Sequence, residues 1–328
     1  MPAPVLSLRA KTIGAFAIVY VVWGSTYLGI KVALNGGMPP ALLGGVRLLI
    51  AGTVLLAFAR WRGTSLAITR RDLSTSAIVG LFLLCGGMFS SMLSEQRIDS
   101  SLAAIVVAAA PLWMALAEGL LPGMDRPSRR GIAGLVIGLV GLIVLVAPRI
   151  GGVTGTPSEL IGIGIQMVGS WLWVTGSIVS KKRPLTTDGA VATGYEMLIA
   201  GVVLSVVAAG LGDFGHVRIT PSGVWATLYL AVDGSAVAFT AFMCLIRNVR
   251  GSTVMTYAYV NPAVAVALGY LAGLIGLLPK PEVLDVWALL GTLTILGGVA
   301  LTTSAPASPA HREPIAPEPD ELPEAPPS

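Results

Sequence analysis

Leu49-Ile50-Ala51-Gly52 recurs as Leu198-Ile199-Ala200-Gly201, an offset of 149 residues (198 less 49). Outward from that block, Ser101 and Pro111 stand ten residues apart, and so do Ser252 and Pro262, at an offset of 151. Gly134 and Gly141 match Gly291 and Gly298 at an offset of 157, which places a short insertion between the earlier and later matches. The chain therefore reads as two copies of one unit, and each copy holds five apolar stretches. An odd number of membrane crossings leaves the second copy inverted relative to the first. Transporters use that arrangement to place a solute site between the copies.

Composition agrees with a membrane chain. The residues are 54% hydrophobic and 12% charged, with a mean hydropathy of +0.81. A soluble domain carries about 25% charged residues. The 40 glycines suit tightly packed spanning helices. They also argue against a lipid-facing β-barrel, whose strands alternate apolar and polar residues. Ten stretches approach the roughly 20 apolar residues that a spanning helix needs. They cover 12–34, 41–59, 73–94, 100–121, 131–148, 160–180, 189–210, 220–245, 252–274 and 286–304. The expected fold class is an all-α integral membrane protein, with ten helices in two inverted five-helix repeats at 12–148 and 160–304.

Orientation follows from the basic residues. With the N-terminus inside, fifteen of the 21 Lys and Arg residues fall on the cytoplasmic side and five outside, leaving Arg47 alone within a helix. Both termini are then cytoplasmic. Arg9 and Lys11 precede a stretch of full membrane width, so the N-terminus reads as a first span and not a leader peptide. Residues 305–328 hold eight prolines and five acids. That composition predicts a disordered cytoplasmic tail. Cys85 and Cys244 lie in apolar runs and are expected to be buried, inert thiols.

Several motifs resemble EamA-type transporters of the drug/metabolite transporter superfamily. They are Trp23-Gly24-Ser25-Thr26-Tyr27-Leu28-Gly29-Ile30-Lys31 with Pro39-Pro40 and Arg47, then Glu95-Gln96 with Ser100 and Pro111. Leu245-Ile246-Arg247-Asn248-Val249 and Tyr257-Ala258-Tyr259-Val260-Asn261-Pro262 complete the set. The resemblance spans residues 12–304 in order. It implies a ten-helix carrier of two repeats, and an exporter of amino acids, metabolites or toxic compounds, often by proton antiport. Asp99-Ser100-Ser101 departs from the glycine-containing pattern usual in the family, and Asp233 matches no acidic position associated with it.

Charges inside a membrane are costly and mark functional positions. Asp233, about 20 Å into helix eight, is the candidate proton switch. At an offset of 151 it falls on Phe82. Arg47 and Glu196 share one repeat position at an offset of 149, carry opposite charges and are expected at opposite ends of the protein. With Glu95 and Lys31 near the outer ends of helices three and one, they form the coupling or gating set. Glu118, near the inner end of helix four, is expected to reach water by snorkelling.

Trp23, Trp113 and Trp173 fall near mid-membrane, not at the interfaces where tryptophan is usual. With Tyr27, Tyr257, Tyr259 and Asn261 they form the expected substrate-binding set, suited to stacking and hydrogen bonding. Pro111 and Pro262, read as mid-helix positions, are the candidate hinges.

The expected function is a secondary transporter of a bacterial cytoplasmic membrane. It would carry small metabolites, amino acids or amphipathic toxic compounds outward by alternating access, with protons as possible co-substrates. An uncoupled facilitator or exchanger is the alternative, followed by a membrane-embedded sensor or enzyme. No Walker-type glycine loop, His/Cys metal cluster or His-containing triad occurs, and His216 and His311 fall in a loop and the tail. No cofactor and no nucleic-acid partner is expected. The partners are the small-molecule substrate and the lipid bilayer, and the oligomeric state is left open.

Overall fold

The computed structural model describes residues 8–98, 103, 106–124, 126–150, 156–274 and 286–304. The tail at 305–328 and the Asp99-Ser100-Ser101 departure lie outside the described residues, as do the side chains of Tyr27 and Lys31. The described chain is helical, with no strand among these residues.

Each of the ten expected stretches contains a helix. They are α1 (Leu8–Asn35), α2 (Pro40–Trp61), α3 (Arg70–Ser94), α4 (Ala110–Leu120) and α5 (Arg129–Ile150), then α6 (Pro157–Lys182), α7 (Gly189–Gly210), α8 (Pro221–Asn248), α9 (Tyr257–Leu274) and α10 (Val286–Thr303). Among the described residues, α1, α2, α3, α6, α7 and α8 are long and apolar enough to cross a membrane. Large apolar side chains such as Trp61, Val206, Trp225 and Leu293 stand exposed on the exterior, as a lipid-facing surface requires.

Helix starts follow local chemistry. Prolines at the first turn of α2, α6 and α8 (Pro40, Pro157, Pro221) sit where a missing N–H costs nothing. Thr156 and Glu159 close a capping box on α6, and the Thr69 hydroxyl caps α3 by accepting from Asp72 N.

The repeated sequence blocks pack on each other. A Cβ on Gly52 would stand 2.8 Å from Gly194 O and 2.9 Å from Leu198 Cγ, and one on Gly201 2.9 Å from Leu49 N. Gly52–Leu198 and Leu49–Gly201 are each other's image under the 149-residue shift. The second seam joins α5 to α10. There Gly141 abuts Ile295 N and Gly298 abuts Gly138 N, with added Cβ distances of 2.6 and 2.5 Å. These contacts are images of each other under the shift of 157. Small residues are what allow such close backbone approach.

A third correspondence is invisible in the sequence. Leu81–Met88 in α3 and Leu230–Val237 in α8 are both π-helical. Their starts differ by 149 residues (230 less 81), so Asp233 aligns with Leu84 and not with Phe82.

The helix before Pro111 is interrupted by a turn at Ala108–Ala109. Pro111 therefore occupies the first turn of α4 and not a helix interior. Pro262 does lie inside α9. Cys85 is half-buried, whereas Cys244 is exposed on the exterior of α8.

Candidate functional site

A cavity lined by both halves of the chain lies within the helix bundle. The first half of the chain lines it with Trp23, Thr26 and Ile30 of α1, Arg47 of α2, Leu84, Gly87, Met88 and Ser91 of α3, and Glu95 just past its end. Val107 and Ala110 of the fourth segment complete that wall. The second half supplies Gln166, Gly169, Ser170 and Trp173 of α6, Gly234, Ser235 and Phe239 of α8, and Tyr257 and Asn261 of α9. Ile30 and Glu95 lie near the C-terminal ends of α1 and α3. The cavity thus reaches the end of the bundle opposite the one that carries Arg60, Arg62, Arg70, Arg71, Lys181, Lys182 and Arg183.

Aromatic rings form its floor. The repeat mates Trp23 and Trp173 meet edge to face at 5.6 Å, and Trp23 meets Tyr257 in the same way at 4.9 Å. Phe242 lies 5.2 Å from both indoles and Phe239 6.3 Å from Trp173. Trp23 Nε1 donates to Gly234 O at 3.0 Å, so a carbonyl of the second π segment fixes the indole. With its amide nitrogen turned toward them, Asn261 donates to Tyr20 O (3.2 Å) and Tyr257 O (3.1 Å).

Polar groups stand on the walls. Arg47 is 4% exposed, and its Nε donates to Ser235 Oγ at 3.0 Å. Ser235 donates in turn to Leu230 O across the π turn. Gln166 Nε2 donates to Ser91 Oγ at 3.1 Å, joining α6 to α3. Arg47 Nη1, Trp173 Nε1 and Gln166 Oε1 are buried without a hydrogen-bond partner among the described residues. All three residues line the cavity, whereas buried polar atoms normally find a partner.

Below the floor, toward the arginine-rich end, the protein is closed. Phe242, Met243, Leu245, Ile246, Val254 and Met255 are buried there in one apolar cluster. Glu196, fully buried, accepts from Arg247 Nη2 at 2.8 Å, and Arg247 also reaches Gly189 O and Ser180 Oγ. Lys181 Nζ caps the end of α8 by donating to Ile246 O and Val249 O. Two contacts here cross between the halves. Asp72 Oδ2 accepts from the N–H and hydroxyl of both Thr186 and Thr187, at 2.7 to 3.1 Å. Glu118 Oε1 accepts from Ser252 N at 3.2 Å.

The expected site residues are thus distributed unevenly. Trp23, Trp173, Tyr257, Asn261, Arg47 and Glu95 line the cavity. Glu196 belongs to the closed end. Trp113 is 37% exposed and packs edge to face on Trp171 at 6.0 Å, away from the lining. Ala110, Pro111, Met114, Ala115 and Glu118 define the inward arc of α4, and Trp113 falls outside it. Tyr259 follows Tyr257 by two residues, about 200° around the helix. It is fully buried on the far side of α9, where its ring lies against Gly138 of α5. Asp233 is half-buried and is not among the lining residues, although its neighbours Gly234 and Ser235 are. Glu118 is fully buried and does not snorkel. Tyr27 and Lys31 side chains lie outside the described residues.

Sequence reasoning passed over Gln166, Ser91, Phe239, Asp72 and Arg247. A Gln inside an apolar run is itself a signal of the kind Arg47 gave. Arg247 sits where the apolar run ends and reads as a loop charge.

Comparison with known proteins places this architecture. The sequence profile of the EamA-like transporter family matches residues 10–147 and 160–304. An uncharacterized inner membrane transporter of Escherichia coli K12, YedA, is 39% identical over 257 residues, covering 78% of this chain and 81% of that protein. A probable amino-acid metabolite efflux pump of Salmonella typhimurium LT2 is 25% identical over 291 residues, covering 86% and 91%. A solved crystal structure matches with a TM-score of 0.72 at 21% identity, over 90% of this chain and 97% of the other, which shows a shared fold.

Proposed function

The chain belongs to the EamA-like transporter family, and on that premise we propose that it is a secondary transporter of a bacterial inner membrane. It carries amino acids or related small amphipathic metabolites outward by alternating access. The observation that carries this reading is the contrast along the cavity axis. A site lined by both halves opens at one end and is sealed at the other by an apolar plug and a polar latch. Ten crossings in two inverted repeats place the arginine-rich end in the cytoplasm. The cavity then opens outward, which supports reading this conformation as the outward-facing state of the cycle. The names of the YedA and efflux-pump relatives support location and direction.

In the cycle, a solute rests on the Trp23–Trp173 floor. Closure over Glu95 and opening between Asp72 and Thr186–Thr187 exchange the two exposures. Pro111, at the turn that begins α4, and Pro262, inside α9, supply bending points. Asp233, next to cavity-lining Gly234 in the π segment, is the carboxylate assigned to proton coupling. Its position off the cavity wall favours one second reading, an uncoupled exchanger. The deciding experiment is counterflow of radiolabelled amino acids and their metabolites in proteoliposomes with imposed pH gradients. Protein-dependent flux that follows the gradient, and loses that dependence in Asp233→Asn, is the expected result. Flux indifferent to the gradient selects the exchanger, and no protein-dependent flux of any solute overturns transport.

A further inference from the structure

Arg47 is a buried cation with almost nothing to hold. One of its five N–H donors bonds Ser235 Oγ. Nη1 is buried without a partner among the described residues, and no described carboxylate lies within ion-pair distance. An uncompensated buried charge is costly and persists where something else makes it worthwhile. The surroundings keep room for it. Gly234 faces the guanidinium, and a Cβ there would stand 3.5 Å from Nη2 and 2.9 Å from Thr26 Cγ2. Arg47 is one of the residues that line the cavity.

We propose that Arg47 is the anchor for the carboxylate of the transported solute, whose apolar body lies on the Trp23 and Trp173 rings. This rests on the reading of the cavity as the transport site and goes beyond it by fixing the charge of the solute. Guanidinium geometry matches a carboxylate with two parallel N–H···O bonds. Trp173 Nε1, also buried and unpartnered, is a second donor on the same cavity. A phosphate or other polyanion fits less well, because Arg47 is the sole cation among the described lining residues and Glu95 shares the lining. A cationic amphiphile would meet Arg47 as a like charge in a low-dielectric site.

The test uses three ligands that share one apolar body: 3-phenylpropionate, 3-phenylpropionamide and 3-phenylpropylamine. Binding to the purified full-length protein is followed by thermal stabilisation at pH 7. The carboxylate should bind at least tenfold tighter than the amide, and the amine should not bind. Arg47→Gln should lower carboxylate binding to the level of the amide and leave amide binding unchanged, whereas a purely structural Arg47 would weaken both together. Trp113→Leu, whose ring lies away from the lining, should keep the preference and guards against a folding artefact. Equal or tighter binding of the amide or amine overturns the proposal, as does a preference that survives in Arg47→Gln or an absence of binding by all three. Flux in proteoliposomes separates this outcome from the parent reading. Carboxylate binding without flux removes transport and keeps the anchor, and flux of the amine or amide alone removes the anchor and keeps transport.

Discussion

The two ends of the molecule are built from equivalent positions and held with unequal strength. At the cavity end, the connection between α1 and α2 meets the start of α8 through one hydroxyl bond, Thr220 Oγ1 to Gly36 O at 2.8 Å, and one backbone bond, Arg218 N to Gly37 O. At the arginine-rich end, the equivalent connection between α6 and α7 meets the start of α3. There Asp72 gathers four bonds from Thr186 and Thr187. Arg47 and Glu196, mates at an offset of 149, repeat the contrast. Arg47, on the cavity lining, holds only a serine, whereas Glu196 is paired with Arg247. A duplicated backbone thus supplies two equivalent end contacts, and side-chain charge decides which is the more tightly held. The closed end should therefore be sensitive to loss of charge, and the shared seams insensitive to which copy is altered.

The largest effect is expected at the latch. Glu196→Ala leaves Arg247 without its buried partner and should cost about 3 kcal/mol, the low end for a broken buried pair because Arg247 is 20% exposed. The double variant Glu196→Ala/Arg247→Ala should be less destabilised than Glu196→Ala alone. A thermal unfolding series checks both, and equal midpoints for the single variant and the parent would break the comparison. Next come the seams. Gly52→Ala and Gly201→Ala each push a methyl into backbone of the opposite helix and should cost about 2 kcal/mol apiece. Losses that differ widely between these two mates would show that the halves do not share the seam equally. The smallest effect separates floor from exterior. Trp113→Leu should cost about 1 kcal/mol through its lost contact with Trp171 and leave ligand binding unchanged. Trp173→Leu should weaken binding of the phenylpropionate probe several-fold.

The duplication, the apolar stretches and the family were legible because they live in composition and spacing. Leu49–Gly52 and its copy even mark the residues that meet in space. What stayed hidden has physical causes. The π segments carry no signature, since Leu81–Met88 and Leu230–Val237 contain the small and apolar residues of any spanning helix. Trp113 was grouped with Trp23 by depth along the membrane, and Tyr259 with Tyr257 by its place just before Pro262. Depth says nothing about azimuth, and both turned to other faces. Asp72 was passed over and Arg247 counted among the cytoplasmic charges, because their partners, Thr186 with Thr187 and Glu196, lie far away in the chain.

The bond from Trp23 Nε1 to Gly234 O ties a ring of the cavity floor to the winding of α8. In a π turn each N–H reaches back five residues, and in an α turn four. Rewinding Leu230–Val237 as regular α-helix would rotate and re-pair the carbonyls on that stretch, Gly234 O among them, and the indole would lose its hold. The pitch of one helix and the shape of the floor therefore behave as screw and nut: neither can advance without turning the other.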